Sequence, residues 1–328
     1  MRSQLKRVLS APQLEILLRD AAGISCHVQH ELADGWFNTA FRVLLEDGRA
    51  AVVKVAPSSD APVLRYERGI MATEAMFYRR VGALGGVPLP ELLHAGPDFL
   101  VVAVLDGEPW DKSIDLLGPA ARNVLLQQLG GIVAQFHALP NTLGYFGCPA
   151  PEAELRAGDW RTAFTMMVEA ILEDAQRWAS PLGITPAQVR ALVAAGADAL
   201  DEVRRPSLVH FDLWPANIFI SNDAGQPRVT GLIDHERAFW GDPAAELVSL
   251  ELCGAIGPNS EFLAGYRELG GLLEYSPSLL HRLALYRLYF GLILVTECGP
   301  RGFGPDHLAW CRTRLDAHVS ALLNLSGA

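Results

Sequence analysis

Residues 208–220 contain two apolar runs, and the polar residues between them are spaced as catalytic residues could be. They are His210, Asp212 and Asn217. Pro215 lies among them, and proline interrupts both a regular helix and a hydrogen-bonded strand. The pattern therefore predicts two short buried strands flanking a loop that presents the three polar side chains together.

A second apolar run ends on another carboxylate. Residues 229–233 are typical of a buried strand, and Asp234 follows them directly. Carboxylate and amide oxygens at strand ends suit a Mg²⁺ ion whose remaining positions are filled by phosphate oxygens. The pattern therefore indicates phosphoryl transfer. Asp242 and Glu246 follow in the next turn, where Asp242 could cap a helix or take part in catalysis.

Lys54 occupies a valine-rich predicted strand. A buried ammonium group is costly unless it meets a negative partner, although a lysine on an edge strand can extend to solvent. Residues 65–81 have the apolar spacing of a helix with Glu67 and Glu74 on one face. Either glutamate could reach Lys54.

Residues 35–39 contain a glycine and small polar residues between two predicted strands. Such residues let backbone N–H groups approach a phosphate closely. An ordinary turn has the same composition, so this segment alone leaves both interpretations open.

Apolar spacing divides the chain into two regions. Up to residue 106 it predicts a helix after Ser10, then strands, a helix and further strands. The change from an apolar strand at 99–105 to a Gly/Pro turn at 106–109 marks the predicted domain boundary. Beyond it the pattern predicts helices over residues 120–139, 159–178, 184–203, 246–253, 261–269, 277–297 and 305–323.

The composition is that of a globular protein large enough for two domains, since half of the 328 residues are hydrophobic. The net charge of −10 argues against general nucleic-acid binding, and it suits cationic substrates as well as an ordinary solvated surface. The five cysteines lack C-x-x-C spacing, and no signal peptide is expected, so we expect a cytoplasmic protein. The longest apolar stretch, residues 283–296, is too short to span a bilayer and predicts a buried helix.

The motifs together indicate more than each does alone. A strand lysine, a helix glutamate, a His-x-Asp-x-x-x-x-Asn loop and a strand-ending aspartate are the parts of a kinase-type site. Residues 210–217, His-Phe-Asp-Leu-Trp-Pro-Ala-Asn, are followed by Leu-Ile-Asp-His-Glu at 232–236 and Gly-Asp-Pro-Ala-Ala-Glu-Leu at 241–247. With these motifs the chain resembles the aminoglycoside phosphotransferase superfamily, which includes kinases for antibiotics, choline and fructosamines. The resemblance covers nearly the whole chain.

The resemblance implies an α+β, protein-kinase-like fold of two lobes. Residues 1–106 would form a small nucleotide-binding lobe with an antiparallel sheet, and residues 107–328 a larger, mostly helical lobe with the catalytic loop and the acceptor site. The implied cofactors are ATP or GTP and Mg²⁺. The implied partner is a small-molecule hydroxyl acceptor, with no nucleic acid and no membrane, and the protein would be a monomer or a homodimer.

The resemblance also implies roles for the residues of the loop. Asp212 would accept the proton of the substrate hydroxyl or orient that hydroxyl for attack, and His210 would brace the loop. Asn217 and Asp234 would hold magnesium ions. Lys54 would contact the inner phosphates.

Further roles in the N-terminal region follow from the same resemblance. Glu74 would hold Lys54, with Glu67 as the alternative. The remaining nucleotide contacts would come from Gly35, Asn38 and Thr39 over the phosphates and from the backbone around Ala103 and Leu105 at the base.

Two positions depart from the family pattern. Phe211 stands where a small residue is usual, and His235 stands where an aromatic residue often follows the metal-binding aspartate. Every charged role remains filled, which favours an active kinase over a nucleotide-binding pseudokinase.

The acceptor stays open between an aminoglycoside-like compound and a fructosamine, choline-like or sugar substrate. Acidic residues on the predicted acceptor side suit a polycation, but surface helices routinely carry such charges. These residues are Asp159, Glu169, Glu173 and Asp174.

Overall fold

The computed structural model describes residues 3–33, 35–113, 115–223, 225–254 and 256–325. The helices among them are α1 (Ala11–Ala22), α2 (Ile70–Gly82), α3 (Trp110–Ser113), α4 (Pro119–His137), α5 (Trp160–Arg177), α6 (Pro186–Ala195), α7 (Ala197–Asp201), α8 (Leu247–Leu250), α9 (Glu261–Glu268), α10 (Pro277–Arg301) and α11 (Pro305–Leu325). The strands are β1 (Cys26–Leu32), β2 (Thr39–Leu45), β3 (Ala50–Val55), β4 (Leu92–Ala95), β5 (Phe99–Ala103), β6 (Glu108–Pro109), β7 (Phe146–Gly147), β8 (Arg156–Ala157), β9 (Ser207–Val209), β10 (Ile218–Asp223), β11 (Gln226–Leu232) and β12 (Phe239–Gly241).

The N-terminal region is built on one antiparallel sheet in the order β1-β2-β3-β5-β4. Successive side chains of a strand point to opposite faces, so Ala51, Val53 and Val55 of β3 join a buried cluster with Leu14 of α1. Lys54 therefore points to the other face of the sheet, toward the rest of the molecule.

Gly69 interrupts the helix that was predicted over residues 65–81. It has a left-handed φ of 67°, which glycine adopts readily, and it separates a 3₁₀ turn (Arg65–Glu67) from α2. Glu67 and Glu74 therefore belong to different elements. The prediction that they share one helix face is wrong.

Helical structure dominates after β6, as predicted, although two predicted helices are shorter than expected. The helix expected over 184–203 is divided at Gly196 into α6 and α7. The segment 246–253 contains only α8, which lies between 3₁₀ turns. The fold is α+β, with an antiparallel N-terminal sheet followed by a mostly helical region, which confirms the predicted fold class.

The long apolar helix α10 is part of the core. The helix is longer than the stretch at 283–296 and by length and composition could cross a membrane, so the expectation that this stretch is too short to do so is wrong, but 78% of its apolar window is buried inside the fold. It packs against α11 and α5. The prediction of a buried helix at residues 283–296 is confirmed.

Residues 104–107 connect the two regions. β5 ends in the five-stranded sheet, whereas β6 pairs with β10, which also pairs with β11. The predicted boundary between residues 106 and 107 falls in this connection. On that basis we retain the division into two lobes as a proposal.

Candidate active site

The loop at residues 210–217 lies between two short strands, as predicted. β9 delivers the chain to His210, and a 3₁₀ turn (Pro215–Asn217) leads into β10. The two strands do not pair with each other, because β9 pairs with β12 and β10 with β11. The loop therefore crosses from one small sheet to another.

Glu246 holds the start of this loop through two backbone amides. The N–H of His210 donates to Oε2 at 2.7 Å, and the N–H of Phe211 donates to Oε1 at 2.9 Å. His137 Nε2 lies 3.3 Å from the same Oε2. Glu246 is fully buried, so these bonds meet no competition from water. The sequence placed Glu246 near the site but gave no signal for this contact.

His210 joins the loop to the strand that ends at Asp234. The Asp212 N–H donates to His210 Nδ1 at 3.2 Å, so the ring proton lies on Nε2, which donates to the Ile233 carbonyl at 3.1 Å. Burial lowers the pKa of His210, although Glu246 and Asp234 partly oppose this effect. A neutral imidazole with both ring nitrogens hydrogen-bonded is suited to bracing the loop.

Phe211 adopts a left-handed backbone conformation with φ 64°. This conformation costs any residue with a Cβ, Phe211 included, about 1–2 kcal/mol relative to glycine. The ring is buried and packs edge-on against Phe239 and Phe290, with centroid separations of 5.1 and 5.6 Å. Burial of the ring offsets the backbone strain.

Asn217 and Asp234 are brought together by the pairing of β10 with β11. Ile218 pairs with Leu232, and the Ile233 N–H donates to the Asn217 carbonyl at 3.0 Å. The Asn217 amide nitrogen donates to the Asp212 carbonyl at 2.9 Å. Its amide oxygen is therefore the atom left for a cation.

Lys54 makes the central ion pair of the site. Its Nζ lies 2.8 Å from both Glu74 carboxylate oxygens and 2.6 Å from Asp234 Oδ1. Burial alone would lower the pKa of Lys54, but Asp234 and Glu74 raise it well above its usual range. Glu67 instead pairs with Arg301 at 2.8 Å. The structure thus places Glu74, and not Glu67, against Lys54.

Glu236 is a site residue that sequence reasoning did not select. Its Oε2 accepts a hydrogen bond from Asn38 Nδ2 at 2.7 Å and lies 3.9 Å from Lys54. Burial raises the pKa of Glu236 well above its usual range, and the neighbouring Asp234 adds to the effect. Its only sequence signal was its position two residues after Asp234.

Arg237 is the cation beside Asp212. Its Nη1 lies 3.5 Å from Asp212 Oδ1, and its Nη2 lies 2.8 Å from Glu297 Oε1. Burial raises the pKa of Asp212 to about 6, while Arg237 opposes the shift and Asp234 adds to it. Asp212 can therefore bind and release a proton near neutral pH. Arg237 was missed because its partners lie far away in sequence.

Some of the residues expected to contact the nucleotide already use their polar groups in hydrogen bonds within the protein. The Thr39 hydroxyl donates to the Arg7 carbonyl at 2.8 Å, and the Ala103 N–H donates to the Glu91 carbonyl at 2.9 Å. Leu105 packs against Gly231, where a Cβ would lie 2.3 Å from its side chain. The Thr39 side chain and the Ala103 amide are thus occupied within the fold.

His235 takes the place of an aromatic residue in packing as well as in sequence. Its ring stacks on Phe77 with centroids 4.2 Å apart and planes inclined by 9°, and it meets Tyr78 edge-on. Burial lowers its pKa well below the usual range, so the ring is neutral. Within the described part of the chain, neither ring nitrogen makes a well-formed hydrogen bond.

The side chains around Lys54 fit a divalent cation. Carboxylate oxygens of Glu74, Asp234 and Glu236 all lie within 4.8 Å of one another, with the Lys54 amine among them. The buried Oδ1 of Asn38 has no hydrogen-bond partner among the described residues. Hard carboxylate and amide oxygens are the donor set that Mg²⁺ prefers.

The acidic residues expected on the acceptor side already have partners within the protein. Asp159 caps α5 by accepting from the Thr162 N–H at 2.8 Å. The others pair with arginines, namely Glu169 with Arg190, Glu173 with Arg65 and Asp174 with Arg177. Asp242 is likewise structural, since it caps the turn at residues 243–246 and pairs with Arg282 at 2.7 Å. These contacts give all four acidic residues roles within the fold, and Asp174 is itself buried.

Comparison with known proteins agrees with this geometry. Over 118 residues the chain is 31% identical to a Vibrio vulnificus protein assigned as a ketoamine kinase, a match that spans 35% of each chain. The fold is similar to that of a Thermobifida fusca protein described as a fructosamine-3-kinase, with a TM-score of 0.70, 21% identity and coverage of 96% of this chain and 100% of that one. It is also similar to an aminoglycoside phosphotransferase, APH(4)-Ia, in complex with AMP-PNP and hygromycin B, with a TM-score of 0.59, 22% identity and coverage of 94% and 98%.

The family assignment rests on the sequence itself. Residues 28–286 match the family model described as the phosphotransferase enzyme family. The matched segment contains the strand of Lys54, the loop of Asp212 and the strand that ends before Asp234. The chain therefore belongs to the phosphotransferase enzyme family.

Proposed function

We propose that the protein is a magnesium-dependent kinase that transfers the γ-phosphate of ATP or GTP to a hydroxyl group of a small molecule. The observation that carries this proposal is the buried contact of Lys54 with both Glu74 and Asp234, beside the Asp212 loop. A strand lysine paired with a helix glutamate is the arrangement with which protein kinases bind nucleotide phosphates, and Asp234 lies beside that pair.

The proposed reaction needs Asp212 near the attacking hydroxyl. Asp212 accepts the hydroxyl proton or orients the hydroxyl toward the phosphate, and Arg237 keeps the side chain in place. Lys54 neutralises phosphate charge while Glu74 holds its amine in position. Asn217 and Asp234 would hold Mg²⁺, which when bound neutralises charge on the phosphates.

Turns and strand ends in the N-terminal region complete the proposed nucleotide site. Backbone groups of the turn from Gly35 to Thr39 would cover the phosphates, and Asn38 would be fixed there by Glu236. The base would lie against the end of β5 at Ala103 and the connection after it, which includes Leu105. Because the Ala103 amide is already bonded, we assign the contact with the base to the residues that follow it.

The acceptor is proposed at two levels. The broader proposal is a small hydroxylated compound, which includes aminoglycoside-like, choline-like and sugar molecules. A ketoamine or fructosamine is a more specific candidate, favoured by the 31% identity to the Vibrio vulnificus protein. The internal partners of Asp159, Glu169, Glu173 and Asp174 weaken the case for a polycationic acceptor.

A screen of acceptors tests this proposal. ADP or GDP release, coupled to an indicator reaction, would be followed with MgATP or MgGTP and a panel of ketoamines, aminoglycosides, choline-like compounds and sugars. We expect nucleotide turnover that depends on one acceptor class, with a phosphorylated product visible by mass spectrometry. Magnesium-dependent nucleotide binding without transfer to any acceptor would favour a pseudokinase instead.

We also expect the protein to be cytoplasmic and to be a monomer or a homodimer.

A further inference from the structure

Two cysteines and a histidine converge in the hairpin formed by α10 and α11. Cys298 lies near the end of α10, and His307 and Cys311 lie four residues apart on α11. Residues four apart on a helix share one face. The turn between the helices presses that face against α10, so that ligand atoms of all three side chains lie within 4.8 Å of one another.

The sulfur atoms are spaced for a shared metal ion. Sγ of Cys298 and Sγ of Cys311 are 4.0 Å apart. Around a tetrahedral zinc ion with Zn–S bonds of about 2.3 Å, two sulfurs lie about 3.8 Å apart. A disulfide requires about 2.05 Å, which would need the two helices to approach. The separation fits two reduced thiols in contact and equally two ligands of one shared ion, whereas it does not fit a disulfide.

The surroundings also suit a soft cation. Both cysteines are buried, whereas His307 is only half-buried and so provides a route of entry. A ligand set of two thiolates and one imidazole binds zinc in preference to magnesium or calcium. The proposed kinase reaction uses none of these three side chains.

We propose that Cys298, His307 and Cys311 bind one Zn²⁺ ion through two thiolates and one imidazole nitrogen. The fourth tetrahedral position would be taken by water or another small ligand. Each thiol loses its proton when it binds the ion, so two protons are released to solvent for each Zn²⁺ bound.

The proposed ion would lie close to the turn that we place over the nucleotide phosphates. The His307 ring packs edge-on against Trp36 with centroids 5.4 Å apart, and Trp36 also contacts Phe303 at 5.1 Å. Trp36 belongs to the turn that carries Asn38. An ion that fixes the His307 ring would therefore steady the surface on which this turn rests.

Cobalt binding tests the site without reference to kinase activity. The full chain would be reduced, freed of metal with a chelator and titrated with Co²⁺, whose thiolate complexes absorb in the near ultraviolet. We expect one equivalent of Co²⁺ to produce this absorption and Zn²⁺ to displace it. We also expect Zn²⁺ to raise the Tm of the metal-free protein, because a ligand that binds only the native state stabilises it.

Matched variants locate the binding to these residues. His307→Gln and Cys298→Ser should each weaken Co²⁺ binding by at least about tenfold, and Cys298→Ser should also lower the thiolate absorption per bound ion to about half, since Cys311 remains. Cys26→Ser, which removes a thiol from β1, should bind as the wild type does. Far-ultraviolet circular dichroism would show whether each variant is folded, and His307→Gln keeps the test valid if Cys298→Ser does not fold.

Three results would overturn the proposal. The first is a wild-type protein that gives no thiolate absorption at micromolar Co²⁺. The second is unchanged Co²⁺ affinity in folded His307→Gln. The third is a purified protein that is two mass units lighter and gains them on reduction, with a Cys298–Cys311 disulfide found in its peptides.

Discussion

Asp212 and Lys54 show how single side chains acquire unusual charge states from burial and a few neighbours. Asp212 loses solvation and gains only partial compensation from Arg237, so its pKa rises to about 6. Lys54 is also buried, but two close carboxylates raise its pKa. The sequence predicted both residues from their motifs. The role of Arg237 could not be predicted from the sequence. It depends on how deeply Asp212 is buried and on which cation lies beside it, and both are set by the folded structure.

The pH dependence of phosphorylation should reflect the protonation of Asp212. Protonation removes the basic form as pH falls through the raised pKa, so kcat/KM should decrease below about pH 6. A pH profile of the free enzyme with an accepted substrate measures this limb. Arg237→Met removes the cation that lowers the pKa, so the limb should move to higher pH. A limb that does not move in this variant would show that another group controls the rate.

Glu74 and Glu67 can be distinguished by a pair of matched substitutions. Glu74→Gln removes the charge that positions Lys54, and misplacement of such a group can lower transfer by about 10²-fold. Glu67→Gln instead breaks the buried pair with Arg301 and should lower the free energy of unfolding by about 3–5 kcal/mol. Transfer rates and urea unfolding curves of both variants provide the test. Equal transfer rates would contradict the assignment of Glu74.

At the scale of elements, the catalytic loop depends on contacts that reach across sheets and turns. Glu246 binds the His210 and Phe211 amides from a turn more than thirty residues later in the chain. The apolar runs and Pro215 were enough to predict strand, loop and strand. They did not indicate the left-handed conformation of Phe211, because that depends on the cluster into which its ring packs.

Glu246→Gln should loosen the loop while leaving the size of the side chain unchanged. The amide group replaces one acceptor oxygen with a donor, and hydrogen bonds to a charged acceptor contribute about 1.5–3 kcal/mol. We expect a similar decrease in unfolding free energy and a lower kcat. Chemical denaturation and steady-state kinetics measure the two effects. Wild-type stability in this variant would show that the two amide contacts contribute little.

His235→Phe should be tolerated, because the ring already packs as an aromatic residue between Phe77 and Tyr78. The substitution removes two buried nitrogens that lack well-formed hydrogen bonds, and such groups cost about 1–3 kcal/mol. We expect an unfolding free energy equal to or above that of the wild type. His235→Ala, which leaves a cavity, is the contrasting variant and should be destabilised. Equal losses in both variants would show that the nitrogens matter.

At the scale of the whole molecule, a buried network of ion pairs and hydrogen bonds connects three distant segments of the chain beside the site. Arg237 and Arg301 both bind Glu297 of α10, and Arg301 also binds Glu67 before α2. Tyr66 donates a hydrogen bond to Glu297 as well. The sequence predicted the fold class and the main charged residues, because they lie at strand ends in recognisable order. It could not reveal this network, since its members are separated by up to about 230 residues and only the folded chain brings them together.

The most direct test of the kinase assignment is phosphate transfer by Asp212→Asn compared with the wild type. The substitution keeps the shape of the side chain but removes its ability to accept the hydroxyl proton. With an acceptor that the wild type phosphorylates, we predict a decrease in transfer of about 10²–10⁴-fold. MgATP affinity, measured by calorimetry, should stay within a few-fold of the wild-type value. Transfer by Asp212→Asn at the wild-type rate would contradict the account.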